Sequence, residues 1–133
     1  EIIKTHLTQM QVAIQNEMPE VYMEADKAFH RAIAVASRNR FFHRTLDSIE
    51  RAMVAYRIVT TYLGTEVLRG SIKGHEQIYA ALAAKDEYMA WKAMSDHIAS
   101  FSRDLRGRAE SAAELGVSRP NYPPPSLSRD DQD

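Results

Sequence analysis

Asp26 and His30 stand four residues apart in "EADKAFHRAIAVASRN", residues 24–39. In a helix that spacing puts both side chains on one face, beside Phe29 and Ile33. Two further histidines occupy apolar stripes. His75 falls among Leu68, Ile72, Tyr79 and Leu82, and His97 among Ala90, Met94, Phe101 and Leu105. A titratable group at a core position is costly without a hydrogen-bond partner or a metal. Taken singly, each histidine is more simply a hydrogen-bonded core residue. The Asp26/His30 pair taken alone is an i,i+4 contact that contributes a few tenths of a kcal/mol.

Position along the chain favours a shared site. The midpoint of 75 and 97 is 86, inside the short connection "AKDEY", residues 84–88. Two antiparallel helices joined there would carry both histidines at the same height, about 15 Å from the turn at ~1.5 Å per residue. If the helix with Asp26 and His30 packs against this hairpin, one carboxylate and three imidazoles converge. That donor set suits Zn²⁺, Ni²⁺, Mn²⁺ or Fe²⁺ and is too nitrogen-rich for Ca²⁺ or Mg²⁺. Four protein ligands would close a tetrahedral zinc site, or leave open positions on an octahedral ion.

The elements that must position these residues are all helical. No alternating strand run occurs, and of five prolines four lie at 120–125. Helices are expected over 1–15 (Ile2, Ile3, Leu7, Met10, Ile14), over 19–37 from Pro19, and over 41–63. The third carries the stripe Leu46, Ile49, Met53, Tyr56 and Val59 or Thr60, with Gly64 and Thr65 as stop and cap. Two more follow over 66–84 and 87–115, with Asp86 as the cap of the last. The expected fold is all-α, an antiparallel bundle of about five or more helices over 1–116. The remainder, 117–133, is rich in Pro, Ser and Asp and reads as a disordered tail.

Composition narrows the function classes. Seventeen basic and eighteen acidic residues give a net charge of -1, too little positive field for a self-sufficient DNA binder. There is no cysteine, hence no disulfide or thiolate ligand, which fits a reducing cytoplasm. No apolar run is long enough to span a membrane. The chain opens at Glu1 in mid-pattern, as a segment of a longer protein would.

"DKAFH", "ASRN" and "GHEQIYAALAAKDEYMAWKAMSDHI" together resemble the FCD domain, the C-terminal effector-binding domain of FadR-type GntR transcription regulators. Asp26, His30, Ser37 and Asn39 match the first part of its pattern. His75, Ile78, Ala81, Asp86, Ala90 and His97 match the second, with the 22-residue histidine spacing kept. The resemblance covers about residues 1–110. It implies a dimerising helical bundle that binds a small carboxylic-acid metabolite beside a metal on Asp26, His30, His75 and His97. Zn²⁺ or Ni²⁺ come first, with Mn²⁺ or Fe²⁺ behind them. It also implies effector contacts from Asn39 and from Arg57, whose guanidinium could grip a carboxylate bidentately; Arg57 on a solvated face is the plainer reading. Three departures stand out. The winged-helix DNA reader is not in these 133 residues, the domain's first helix looks truncated, and Gly74 precedes His75 where members commonly carry an acidic residue.

The expected function is therefore ligand sensing and dimerisation in a cytoplasmic transcription regulator, with DNA bound only through a domain outside this chain, and no enzyme activity. The alternative is a metal-dependent helical-bundle enzyme using the three-His, one-Asp site, although neither H-E-x-x-H nor the Glu-x-x-His pairs of di-iron bundles occur. A third reading is a dimerisation module whose polar core groups satisfy one another. Among weaker features, Trp91 and Tyr88 read as core or dimer contacts, His6 and His43 as surface residues without partners, and "RNRFFHR", residues 38–44, as a loop and helix start.

Overall fold

Three tight connectors with one shared design set the bundle's geometry. The computed structural model describes residues 1–52 and 65–114. Within them run α1 (Ile2–Gln15), α2 (Pro19–Ala36), α3 (Arg40–Ala52), α4 (Thr65–Ala83) and α5 (Glu87–Glu114). Glu17, Arg38 and Lys85, one between each consecutive pair except α3 and α4, have positive φ of 55°, 54° and 56°. After α1 and α4 the following amide reaches back a full turn, Met18 N–H to the Ala13 carbonyl and Asp86 N–H to the Ala81 carbonyl. These bonds take up carbonyls that a helix end leaves without partners. The next helix is then capped at once. Asp86 Oδ1 accepts from Met89 N–H at 2.9 Å, and Asn39 Oδ1 accepts from the amides of Phe41 and Phe42 at 3.0 and 3.2 Å. Pro19 opens the first turn of α2, where its missing N–H is not needed.

A left-handed conformation costs an L-residue roughly 1–2 kcal/mol, which glycine avoids. Lys85→Gly is therefore expected to stabilise the fold by up to about 1 kcal/mol, after allowing for the freer unfolded chain. Urea unfolding midpoints of the two proteins would show it, and an unchanged or lowered midpoint would contradict the strain at this turn.

α1 packs against α2 and α4, and α2 against α1, α3 and α4. The core between them is built from Leu7, Met10 and Ile14 of α1, Tyr22 and Phe29 of α2, and Leu68 and Ile78 of α4. Met10 and Phe29 are fully enclosed, each contributing about 1.5–3 kcal/mol of apolar burial. Arg31 and Asp47 pair at 3.2 Å across α2 and α3, an exposed contact that contributes little. The chain divides into two units, 1–101 and 102–133; among the described residues the second consists of the end of α5. No helix among the described residues is long and apolar enough to cross a membrane.

The all-α expectation holds, and the helix ends fall within about two residues of those read from periodicity wherever both are described. Several side-chain assignments need correction. Ile2 and Ile49 are exposed despite their place in apolar stripes. On α4 the buried line runs through Ile78, with Tyr79 only partly covered. Trp91 and Tyr88 are each 65% exposed and stack loosely on one another, so neither is a core residue. His6 and His43 do have partners, Gln9 at 2.9 Å and Asp47 at 3.5 Å. The stripe residues Met53, Tyr56, Val59 and Thr60, the expected stop Gly64, and the tail 117–133 lie outside the described residues.

Candidate metal centre

α2 presents Tyr22, Asp26 and Phe29/His30 one turn apart on its inner side, because its core-facing stripe has the helical period. Tyr22 and Phe29 fill the core and hold that stripe in place, so the two polar residues between and beside them face α4. There His75 is fully buried. The hairpin of α4 and α5 brings His97 to it, with ring centroids 4.3 Å apart. The equidistance of 75 and 97 from the turn at 86 is thus realised in space.

The four side chains meet. Asp26 Oδ1 lies 2.8 Å from His75 Nε2 and 3.8 Å from His30 Nε2, and the two Nε2 atoms are 3.3 Å apart. The His97 ring stacks on His30 at 5.4 Å. One donor atom from each of Asp26, His30, His75 and His97 lies within 4.8 Å of all the others. Around a first-row ion with bonds of ~2.1 Å, neighbouring ligand atoms are ~3.0 Å apart in octahedral and ~3.4 Å apart in tetrahedral geometry. The 3.3 Å between the His30 and His75 nitrogens falls in that range, with the 2.8 Å and 3.8 Å contacts of Asp26 on either side of it. Phe29 closes the apolar side, its ring edge-on to His75 at 5.1 Å and to His30 at 5.5 Å.

Hydrogen-bond accounting tests the fit of a cation. His75 Nδ1 is 3.1 Å from the Ser71 carbonyl, which can only accept, so Nδ1 carries the ring's hydrogen. In the neutral ring, Nε2 then offers a lone pair to the Asp26 carboxylate and to His30 Nε2. The 2.8 Å contact between His75 Nε2 and Asp26 then joins two acceptors, which need either an extra proton or a cation between them. One proton can serve only one of these contacts at a time, whereas a metal ion serves all of them. A backbone carbonyl holding the far nitrogen is also how metal-binding histidines are oriented.

The electrostatics favour neutral His30 and His97 beside an ionised Asp26 at neutral pH. Burial, reinforced by His75 and His30 and opposed by Asp26, pushes His97 down to about 3. Burial also lowers His30, with Asp26 pulling the other way and His75 adding to the fall. For Asp26 burial acts upward, but the hydrogen bond from His75 and the fields of the three histidines outweigh it, and the carboxyl is lowered. With Asp26 ionised and His30 and His97 neutral, the site offers a carboxylate and imidazole lone pairs, the state a metal requires.

The structure brings together all four residues assigned as ligands from the sequence. It places Asn39 elsewhere, as the cap of α3, where its carboxamide oxygen is already used. Arg57 lies outside the described residues. Sequence reasoning missed Ser71, whose contribution is a main-chain carbonyl one turn before His75. It also missed Tyr22, whose hydroxyl is buried without a hydrogen-bond partner. Burial and then the Asp26 charge raise that phenol well above its ordinary value; Ser71 comes close enough to act in the opposite sense, yet not in bonding geometry.

The family model described as the FCD domain matches residues 1–100. A Bacillus subtilis (strain 168) protein named as an uncharacterized HTH-type transcriptional regulator, YcbG, is 31% identical over 99 residues. That alignment covers 73% of this chain and 41% of the relative, so the chain spans less than half the length of the curated relative it matches. No solved structure matches.

Proposed function

Because the chain belongs to the FCD domain family, we propose that it is the ligand-sensing and dimerisation part of a cytoplasmic GntR/FadR-type transcription regulator and not an enzyme. A divalent transition ion, Zn²⁺ or Ni²⁺ ahead of Mn²⁺ or Fe²⁺, is held by Asp26, His30, His75 and His97. The ion would supply a fixed positive charge to which a small carboxylate effector could bind. Arg57 and the free amide nitrogen of Asn39 are assigned to that effector by their places in the sequence pattern. DNA is bound through a winged-helix domain outside these 133 residues, a reading supported by the short share of an HTH-type relative that the chain covers.

One observation carries this reading: donor atoms from three helices, far apart in sequence, lie within 4.8 Å of one another. Since α2, α4 and α5 each contribute a side chain, an effector bound at the centre would bear on three helices at once. To act as a signal, the effector must bind one arrangement of those helices more tightly than another.

Elemental analysis of the purified protein is expected to give about one transition ion per chain. Removing it with a chelator should lower the melting temperature, because an ion at 100 to 1,000 times its Kd adds about 3–4 kcal/mol by mass action. Small carboxylic acids should raise the melting temperature of the loaded protein and leave the stripped one unmoved. A protein that carries no metal and melts identically with and without added ion would sink the proposal. Turnover of a metal-bound substrate would transfer it to the enzyme reading.

A further inference from the structure

α4 contains two glycines one turn apart, Gly70 and Gly74. Inside a helix each costs up to about 1 kcal/mol relative to alanine, so a glycine there calls for a reason. The surroundings of the two differ. A Cβ added at Gly70 would meet nothing within 4 Å. One added at Gly74 would lie 2.7 Å from His97 Nδ1, 3.2 Å from Cγ and 3.3 Å from Cβ. The first of these is a separation that Cβ atoms essentially never show. All three atoms belong to one side chain, the imidazole that α5 sends to the metal centre.

We propose that Gly74 is a positioning residue for the metal centre: its missing side chain is the seat on which the His97 imidazole rests. The inference depends on the reading above, that the four residues hold an ion. Resting directly on the α4 backbone brings the His97 ring to 4.3 Å from the His75 ring and into the stack with His30. With a methyl group at 74, the ring must swing away or α5 must move outward. Either response separates His97 from the other three ligands while leaving the fold intact, because the displaced atoms are side-chain atoms and alanine favours the helix.

The test compares the wild type with Gly70→Ala, Gly74→Ala, His97→Ala and the Gly74→Ala/His97→Ala double variant. Zn²⁺ affinity is measured by calorimetry, coordination by the visible absorption of bound Co²⁺, and folding by circular dichroism of the metal-free proteins. Gly70→Ala is expected to bind Zn²⁺ as the wild type does, with the same Co²⁺ spectrum. Gly74→Ala should fold and melt no lower than the wild type when metal-free. Its Zn²⁺ affinity should fall about 10- to 100-fold, the range for disturbed support of a metal ligand, with an altered Co²⁺ spectrum. The double variant should bind no more weakly than His97→Ala, since without the imidazole Gly74 seats nothing. Unchanged affinity and spectrum in Gly74→Ala would overturn the proposal. So would failure of Gly74→Ala to fold while Gly70→Ala folds, because something other than the imidazole would then be displaced. Wild-type protein that takes up neither ion would overturn the metal reading itself, a result distinguishable from both.

Discussion

Replacing His75 with alanine is expected to destabilise the metal-free domain by about 3–5 kcal/mol and to abolish metal binding. His75 has no exposed surface, and it touches every other part of the centre. Its Nε2 is 2.8 Å from Asp26 Oδ1, and its ring lies against Phe29, His30 and His97. Removing it deprives the partly exposed Asp26 carboxylate of its nearest neighbour and, more costly, takes a fully enclosed ring out of the core, a loss that for large buried side chains runs to about 3–5 kcal/mol. It also opens a cavity beside the enclosed Phe29 ring, which cannot relax far while Tyr22 and Met10 hold the core. Since whole domains are stable by only ~5–15 kcal/mol, a substantial fraction of the total would go. His6→Ala serves as the control: its ring bonds only Gln9, on the surface, and a change within about 0.5 kcal/mol is expected. Guanidinium unfolding of the three proteins with chelator present measures both effects. A His75→Ala variant as stable as His6→Ala would show that the enclosed imidazole contributes nothing to the metal-free fold.

The centre was legible in the sequence to an unusual degree because its geometry follows from counting. The spacing of Asp26 and His30 needs only the helical period, and the meeting of His75 and His97 needs only the position of the turn, which the Asp86 cap fixes. Residues that depend on a neighbour's exact direction were not legible. A helical stripe defines a face to within one residue, so periodicity could not choose between Ile78 and Tyr79, and the structure buries Ile78. Ile49 fits the stripe of α3, yet what lies opposite it decides its burial, and no pattern within one helix carries that information. The Ser71 carbonyl has no sequence signature at all, since any residue there offers the same atom. Gly74 did leave a trace, a helix-breaking residue in mid-helix, but its reason lies 23 residues away in His97.

Acid should unfold the metal-free domain from well above the ordinary carboxylate range. The His97 pKa falls from 6.5 in the unfolded chain to about 3 in the folded one, and that of His30 is lowered as well. Between those limits the unfolded state binds the proton and the folded state does not. Stability is therefore full above pH 6.5 and is lost as the pH falls from there toward about 3. The gap at His97 corresponds to at most about 5 kcal/mol, less whatever water screens at its partly exposed ring. Asp26 acts in the same direction lower down: its depressed carboxyl contributes stability above 3.8 that is lost as the pH falls through its folded value. Denaturant titrations at a series of pH values, with chelator present, should show unfolding free energy falling steadily from pH 6.5 to 4. His97→Phe keeps a ring of similar bulk and removes the proton, so its curve should be flatter across that window. Parallel curves for wild type and variant would mean that His97 takes up its proton as readily in the fold as outside it, and the neutral cluster on which metal binding depends would be lost.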